Sequence, residues 1–297
     1  MASAELGMVV ELLRSMRLMG DADVATLRAN MEAATSSAGI PGDVRVEAVD
    51  ADGVPGEWVR AGAVADDTCV LYFHGGGYCI GSPATHRALV ASISRAAGLP
   101  VLSVDYRLAP ENPYPAAVDD GVRAYQHLRN TGFPASRIGV AGDSAGGGLT
   151  VATLLALRDA GAALPAAAAC ISPWLDLTMS GASIETKADE DPMLDAATLE
   201  RMAAAYAGPA DRRAAGISPL FADLQGLPEI LVHVGTAELL LDDALRFVAA
   251  LRKAGVEVSL DAYDDMIHVW HAFAAILPEG REAIERIGAF FRRRLSD

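Results

Sequence analysis

The chain has 297 residues and a mass of 30.9 kDa, long for one compact domain and the right size for one α/β domain carrying insertions. Hydrophobic residues make up 52% and aromatics only 6%, enough for a large core built mainly of aliphatic side chains. A net charge of −15 excludes a nucleic-acid binder, which needs clustered Lys and Arg, and it disfavours anionic membranes.

Residues 1–20, MASAELGMVVELLRSMRLMG, carry Glu5 and Glu11 and lack a basic start followed by an apolar block, so they do not read as a signal peptide. Helical patterning is expected to about residue 40. From about residue 44, β-rich runs alternate with helical ones. VRVEAV, EWVRAG and TCVLYF come first, followed by VLSVDY, RIGVAG, AAAACIS, EILVHVG and VEVSLDAY. Between them lie HRALVASISRAAG, AAVDDGVRAYQHLRN, an alanine-rich run after Ser144, LLDDALRFVAALRKAG and EAIERIGAFFRRRL. This alternation predicts an α/β fold with a mostly parallel central sheet and helices on both faces. Runs such as VLYF and ILVHV are continuously apolar, as strands buried on both faces should be.

Two segments break the alternation. One is the helical start; the other runs from about Thr178 to Ser218 and contains LDAATLERMAAAYAG. An open α/β sheet places its site beyond the carboxyl ends of its strands. Residues 1–43 and 178–217 are therefore expected to form a helical cap there, over a catalytic core made of 44–177 and 218–297. No apolar run reaches the roughly 20 residues of a membrane span. Cys69, Cys79 and Cys170 are odd in number, without metal-like spacing, and two fall in predicted buried strands, which points to a reduced cytoplasmic setting.

The strongest chemical signal is Gly142-Asp143-Ser144-Ala145-Gly146, between a predicted strand and a helix. A G-x-S-x-G match is weak by itself, but strand, sharp turn and helix are the context of a nucleophile elbow. Small residues flank the serine because the turn is strained and passes close to its neighbours. A second motif, His74-Gly75-Gly76-Gly77-Tyr78, follows TCVLYF and matches the HGGG loop of esterases and lipases. Backbone N–H groups stabilise an oxyanion only where side chains leave room, so Gly76, Gly77 and Ala145 are the expected donors. No Lys or Thr follows in Walker fashion, which argues against a phosphate cradle.

In this fold the base comes late. His74 belongs to the glycine loop, His86 and His127 precede the serine on predicted helices, and His233 sits inside a strand as a core histidine. His268 follows the last strand in Asp264-Asp265-Met266-Ile267-His268 and is the expected general base; His271 falls where a helix should start. The acid belongs in the loop Gly235-Thr236-Ala237-Glu238 and beyond. Glu238 is the choice, with Asp242 left open; Asp242 and Asp243 are otherwise expected to cap the next helix. Asp143 is expected to have a local hydrogen-bonding role, and Tyr106 to Glu111 to brace the site.

HGGGY at 74–78, DYRLAPENPYPAAVDD at 105–120, GDSAGG at 142–147, SPWLDL at 172–177 and MIH at 266–268 together resemble the hormone-sensitive-lipase-like esterases, bacterial esterase family IV, over about residues 70–275. The resemblance implies an α/β-hydrolase fold with its cap made by N-terminal helices and an insertion after the sixth strand. That family usually has Gly-x-x-Asp-Pro-Leu at the acid loop, whereas Glu238 and Leu239 stand in the Asp and Pro places here. GTAELLLDD with MIHVW is similar to a branch that includes monoterpene-lactone hydrolases. The implied activity is hydrolysis of short- to medium-chain esters or lactones through an acyl-enzyme, without cofactor or metal. The expected partner is the small-molecule substrate, with no nucleic acid and no stable membrane association; a homodimer is left open. An amidase or deacetylase of small acetylated compounds is the alternative. A non-catalytic receptor on this fold is the remote one, since His268 is present.

Overall fold

The computed structural model describes residues 2–16, 22–36 and 41–295. The helical expectation for the first 40 residues is met over α1 (Ala4–Met16) and α2 (Val24–Ser36); its remainder, at 17–21 and 37–40, lies outside the described residues.

Every strand expected from the alternation is present: β1 (Val44–Asp50), β2 (Pro55–Ala61), β3 (Cys69–Phe73), β4 (Val101–Val104), β5 (Ile138–Asp143), β6 (Ala167–Ile171), β7 (Glu229–Gly235) and β8 (Val258–Tyr263). They form one sheet in the order β1-β2-β4-β3-β5-β6-β7-β8. The pairs from β4–β3 through to β7–β8 are parallel, and β1–β2 and β2–β4 are antiparallel. The β1–β2 hairpin closes on the mutual Ala51 and Val54 backbone bonds, so it needs no crossover helix.

The connecting helices are α3 (Pro83–Ala97), α4 (Ala116–Asn130), α5 (Ala145–Asp159), α6 (Ser183–Thr186), α7 (Ala196–Ala207), α8 (Leu241–Lys253) and α9 (Pro278–Leu295). Helix α3 shows why such segments fold locally. Ser82 and Thr85 form a reciprocal capping box, Pro83 opens the helix, and Gly98 closes it in the left-handed region. In β3 the alternation of side chains divides the core. Leu71 and Phe73 pack with Tyr125, Leu128 and Leu149 of α4 and α5 on one face. Val70 and Tyr72 pack with Ile93 of α3 and Ile287 and Phe291 of α9 on the other. A third cluster closes the β6–β7 side with Phe247 and Leu251 of α8.

Parallel pairing of β3, β5, β6, β7 and β8 aligns their carboxyl ends. The loops carrying His74–Tyr78, Ser144, Ser172, Glu238 and His268 leave the sheet at that one edge. Helix α1 packs through Leu6, Val9 and Leu13 against Met266, Ile267 and Trp270. Arg28 of α2 donates to the carbonyls of Cys79 and Ala109 and pairs with Glu111. Helix α7 places Leu199, Met202 and Tyr206 in the cluster that contains Tyr78 and Trp174.

Candidate active site

Ser144 sits between β5 and α5 with φ 53° and ψ −120°, strained for a residue bearing a Cβ. Tight packing holds that conformation. A Cβ on Gly146 would lie 2.0 Å from the Phe73 carbonyl oxygen, and one on Gly142 would lie 2.2 Å from that of Gly146. Ser144 N–H donates to the Ile171 carbonyl at 2.8 Å, and the Ser144 carbonyl accepts from Trp174 N–H at 2.9 Å. The elbow is thus pinned to the end of the adjacent strand, with Ser144 only 7% exposed.

The glycine loop meets it from β3. Gly76 and Gly77 both have positive φ, at 116° and 59°. Added side chains would strike the Ile80 carbonyl and Met202 Sδ, each within 2.2 Å. Among the described residues no protein acceptor takes the N–H of Gly76, Gly77 or Ala145. Gly75 N–H, one residue earlier, donates to Asp143 Oδ1 at 3.1 Å. The same carboxylate accepts from Tyr72 Oη at 2.6 Å and lies 3.5 Å from His86 Nε2. Burial alone would raise the Asp143 pKa, but the His86 charge and the Tyr72 hydroxyl prevail and lower it. For His86 burial is likewise outweighed, by Asp143, and its pKa rises. This buried cluster around the Asp143 carboxylate holds the glycine loop against the elbow. His74 itself is neutral: burial, then the neighbouring His86 charge, bring its pKa down to about 3. Its ring stacks on Tyr106, whose hydroxyl donates to the His74 carbonyl at 2.8 Å. Arg107 grips Asp120, and Arg28 grips Glu111, so the segment from Tyr106 to Glu111 braces the loop from outside.

Glu238 and His268 meet at the ends of β7 and β8. Glu238 Oε2 lies 2.5 Å from His268 Nδ1, with both side chains almost wholly buried. Glu238 Oε1 accepts from Gly235 N–H at 2.7 Å and from Ser172 Oγ at 2.9 Å. Burial disfavours the His268 imidazolium, but the Glu238 hydrogen bond and charge, then the charges of Asp191 and Asp143, outweigh it and raise its pKa. His271 turns elsewhere. Its Nε2 lies 3.0 Å from His233 Nδ1, and His233 Nε2 lies 3.1 Å from Asp261. Burial and the two neighbouring histidines push the His271 pKa well down.

The capping role expected for Asp242 and Asp243 is not found. Leu240 occupies the N-cap of α8, with no side-chain cap bond. Both aspartates already lie inside the first turn and reach across to other segments. Asp242 accepts from Ser183 N–H, and its own N–H donates to Ser183 Oγ. Asp243 accepts from the N–H groups of Leu175 and Asp176, while burial pushes its carboxyl up to about 7. Two other participants carried no sequence signal of their own. Asp191, between α6 and α7, accepts from Leu239 N–H at 3.0 Å, directly beside Glu238. Ser172 was visible only as the first letter of SPWLDL.

A doubly covered, mostly parallel sheet with a serine elbow, a glycine loop and a buried acid–histidine pair at its carboxyl edge is the arrangement of an α/β-hydrolase. Residues 70–272 match the family model described as alpha/beta hydrolase fold. The chain is 46% identical over 292 residues to an acetyl-hydrolase of Streptomyces hygroscopicus, covering 98% of this chain and 97% of that protein. It is 36% identical over 251 residues to an esterase of Acinetobacter venetianus, covering 83% and 82%. Among solved structures, an esterase from the bacterial hormone-sensitive lipase family superposes with a TM-score of 0.96 at 46% identity, covering 99% of both chains. EstE5, soaked with p-nitrophenyl butyrate, gives 0.96 at 43% identity over the whole of both chains. The chain belongs to the α/β-hydrolase fold family and, within it, to the hormone-sensitive-lipase-like esterases.

Proposed function

We propose that the chain hydrolyses carboxylic esters with short acyl groups, with Ser144 as nucleophile, His268 as general base and Glu238 as the acid that orients it. The observation that carries this reading is the 2.5 Å contact of Glu238 Oε2 with His268 Nδ1, on loops that leave the sheet beside the Ser144 elbow. That contact leaves Nε2 on the opposite side of the ring to take the Ser144 proton. Ser144 Oγ adds to the ester carbonyl as the proton passes to His268, and the N–H groups of Gly76, Gly77 and Ala145 hold the resulting oxyanion. Collapse expels the alcohol with the proton from His268. Water, deprotonated by His268, then adds to the acyl group and frees Ser144.

Residues 1–43 and 178–217 act in this reading as a cap over the core of 44–177 and 218–297, with α7 lying above the glycine loop. Met202 Sδ sits where any side chain on Gly77 would go, which confines the space beside the oxyanion donors and favours a small acyl group. The relatives point the same way, since one is an acetyl-hydrolase and another was soaked with a butyrate ester. Removal of acetyl groups from small acetylated compounds is a specific form of this activity; lactones, whose ring opening uses the same two half-reactions, are the second class to examine. A panel of p-nitrophenyl esters from acetate to dodecanoate, with γ-lactones and acetanilide, tests the proposal alongside fluorophosphonate labelling. Turnover falling with acyl length and labelling confined to Ser144 are expected. No labelling, or labelling that survives Ser144→Ala, refutes it.

A further inference from the structure

We infer that Ser172 is a positioning residue that locks the acid and the base into one geometry, an inference that rests on the assignment of Glu238 and His268 above. Ser172 begins the SPWLDL segment at the end of β6, in the left-handed region (φ 45°) and fully buried. Its hydroxyl makes two directional bonds at once. It donates to Glu238 Oε1 at 2.9 Å and accepts from Val269 N–H, the residue after His268, at 3.1 Å. Its own N–H donates to the His233 carbonyl on β7, which fixes the backbone from which the hydroxyl projects. Ile171, just before it, and Trp174, two residues after it, secure the nucleophile, through the Ile171 carbonyl to Ser144 N–H and through Trp174 N–H to the Ser144 carbonyl. One short loop therefore touches the loops of all three proposed catalytic residues, and Ser172 is the member that touches two of them with a side chain.

The identity of the acid explains why such a clamp is needed. A glutamate has one more rotatable bond than the aspartate usual at this place in the family, so its carboxylate can swing about a longer stem. Gly235 N–H and Ser172 Oγ both hold Oε1, which leaves Oε2 a single direction, toward His268 Nδ1. Because the hydroxyl has one proton and donates it to the carboxylate, it can meet Val269 N–H only as an acceptor. Both loops are thereby referred to one oxygen atom, and a shift of either breaks a buried bond.

The test is a double-mutant cycle on the full chain with Ser172→Ala, Glu238→Gln and the pair, measuring kcat and KM for p-nitrophenyl acetate, melting temperature and the acid limb of kcat/KM. Ser172→Ala should lower kcat about 10- to 100-fold with KM within about threefold, a coupling in the range seen for contacting residues of one network. It should also move the acid limb, because a carboxylate that wanders from His268 no longer supports the imidazolium. In the Glu238→Gln background the same substitution should change kcat less than about threefold, since the group it acts through is already disabled. Ser172→Cys keeps the branch-free shape and a weaker donor on a somewhat larger atom and should fall between serine and alanine; its cycle with Glu238→Gln carries the test if the alanine variant does not fold. An equal loss from Ser172→Ala in both backgrounds, with the acid limb unmoved, overturns the inference while leaving the triad standing. An unaffected Glu238→Gln overturns the assignment of the acid and, with it, the role of Ser172.

Discussion

Glu238→Gln is the most discriminating substitution, because the surroundings of the carboxylate dictate what the amide will do. Oε1 faces two donors, Gly235 N–H and Ser172 Oγ, and Oε2 faces His268 Nδ1. If the amide turns its NH2 toward Oε1's place, it confronts Gly235 N–H, a buried donor left without an acceptor, at a cost of about 1–3 kcal/mol. If it turns the other way, its carbonyl keeps both donors and its NH2 faces Nδ1, which must then lose its proton. The second orientation wins, and it moves the histidine proton to Nε2, the nitrogen that must be bare to act as base. The preference alone removes about 5- to 150-fold of competent enzyme, taking about 1.4 kcal/mol per tenfold. Loss of the negative charge opposite the imidazolium adds to this, and about 10⁴ in kcat is the scale for an acid-to-amide exchange in a triad. The charge also sets the pH dependence. His268 must be neutral to act, so kcat/KM falls as pH drops through its pKa, which Glu238 holds above the ordinary value of about 6.5. Without the charge, burial dominates and the acid limb should move to lower pH. The assay is kcat/KM for p-nitrophenyl acetate from pH 4.5 to 9, with Asp242→Asn as the control. A Glu238→Gln variant within tenfold of wild type and with an unmoved acid limb would refute the reasoning, and collapse of Asp242→Asn instead would shift the role to that residue.

Ser144→Ala should abolish covalent labelling and cost about 10⁴ to 10⁶ in kcat while the melting temperature stays near wild type; stoichiometric labelling of the variant would count against it. His268→Ala should match that loss, whereas His271→Ala, removing a ring that faces His233 and packs on Trp270, should cost about 1–3 kcal/mol of stability and leave kcat within tenfold. Reversed outcomes in a paired kinetic and thermal-melt comparison would move the base to His271. Gly77→Ala should lower kcat about 10²- to 10³-fold, since its Cβ meets Met202 Sδ and drives an oxyanion donor out of place. Part of that activity should return in Gly77→Ala/Met202→Ala, and no recovery would mean that the positive φ, not the contact with α7, is the obstacle.

Much of the fold was legible because the relevant signals are local. Apolar runs such as VLYF and ILVHV have to be strands buried on both faces, and the helical runs between them stand apart in period and composition. The order of strands was not legible. Nothing in EWVRAG says that β2 passes over β3 to pair with β4, because pairing depends on which strand lies at the edge of the parallel set, a property of the whole sheet. Asp242 and Asp243 were misread for a related reason. An aspartate at the start of a helix caps it only if it occupies the N-cap, and tertiary contacts with Ser183, Leu175 and Asp176 claimed both side chains instead.

At the candidate site, chain order and backbone context pointed to Ser144, the glycine loop, His268 and, with Asp242 left open, Glu238, since each follows a strand whose parallel pairing brings its carboxyl end to the same edge. What pattern could not supply is how those loops hold one another. Ser172 and Asp191 are small or charged residues in irregular segments, and neither belongs to a periodic run or to a motif with a stated mechanism. Their importance comes from distance in sequence: Ser172 bridges to Val269, 97 residues away, and Asp191 to Leu239, 48 residues away. Asp191 brings the segment between α6 and α7 onto the residue beside Glu238, and its charge adds to the field that favours a protonated His268. Ser183, at the start of α6, ties the same insertion to Asp242 and to the Leu239 carbonyl. The insertion that looked in the sequence like a lid added to a finished core is therefore hydrogen-bonded to the acid loop at several points. Any displacement of α6 and α7 must either hinge beyond these bonds or break them, and breaking them would loosen the loop that bears Glu238.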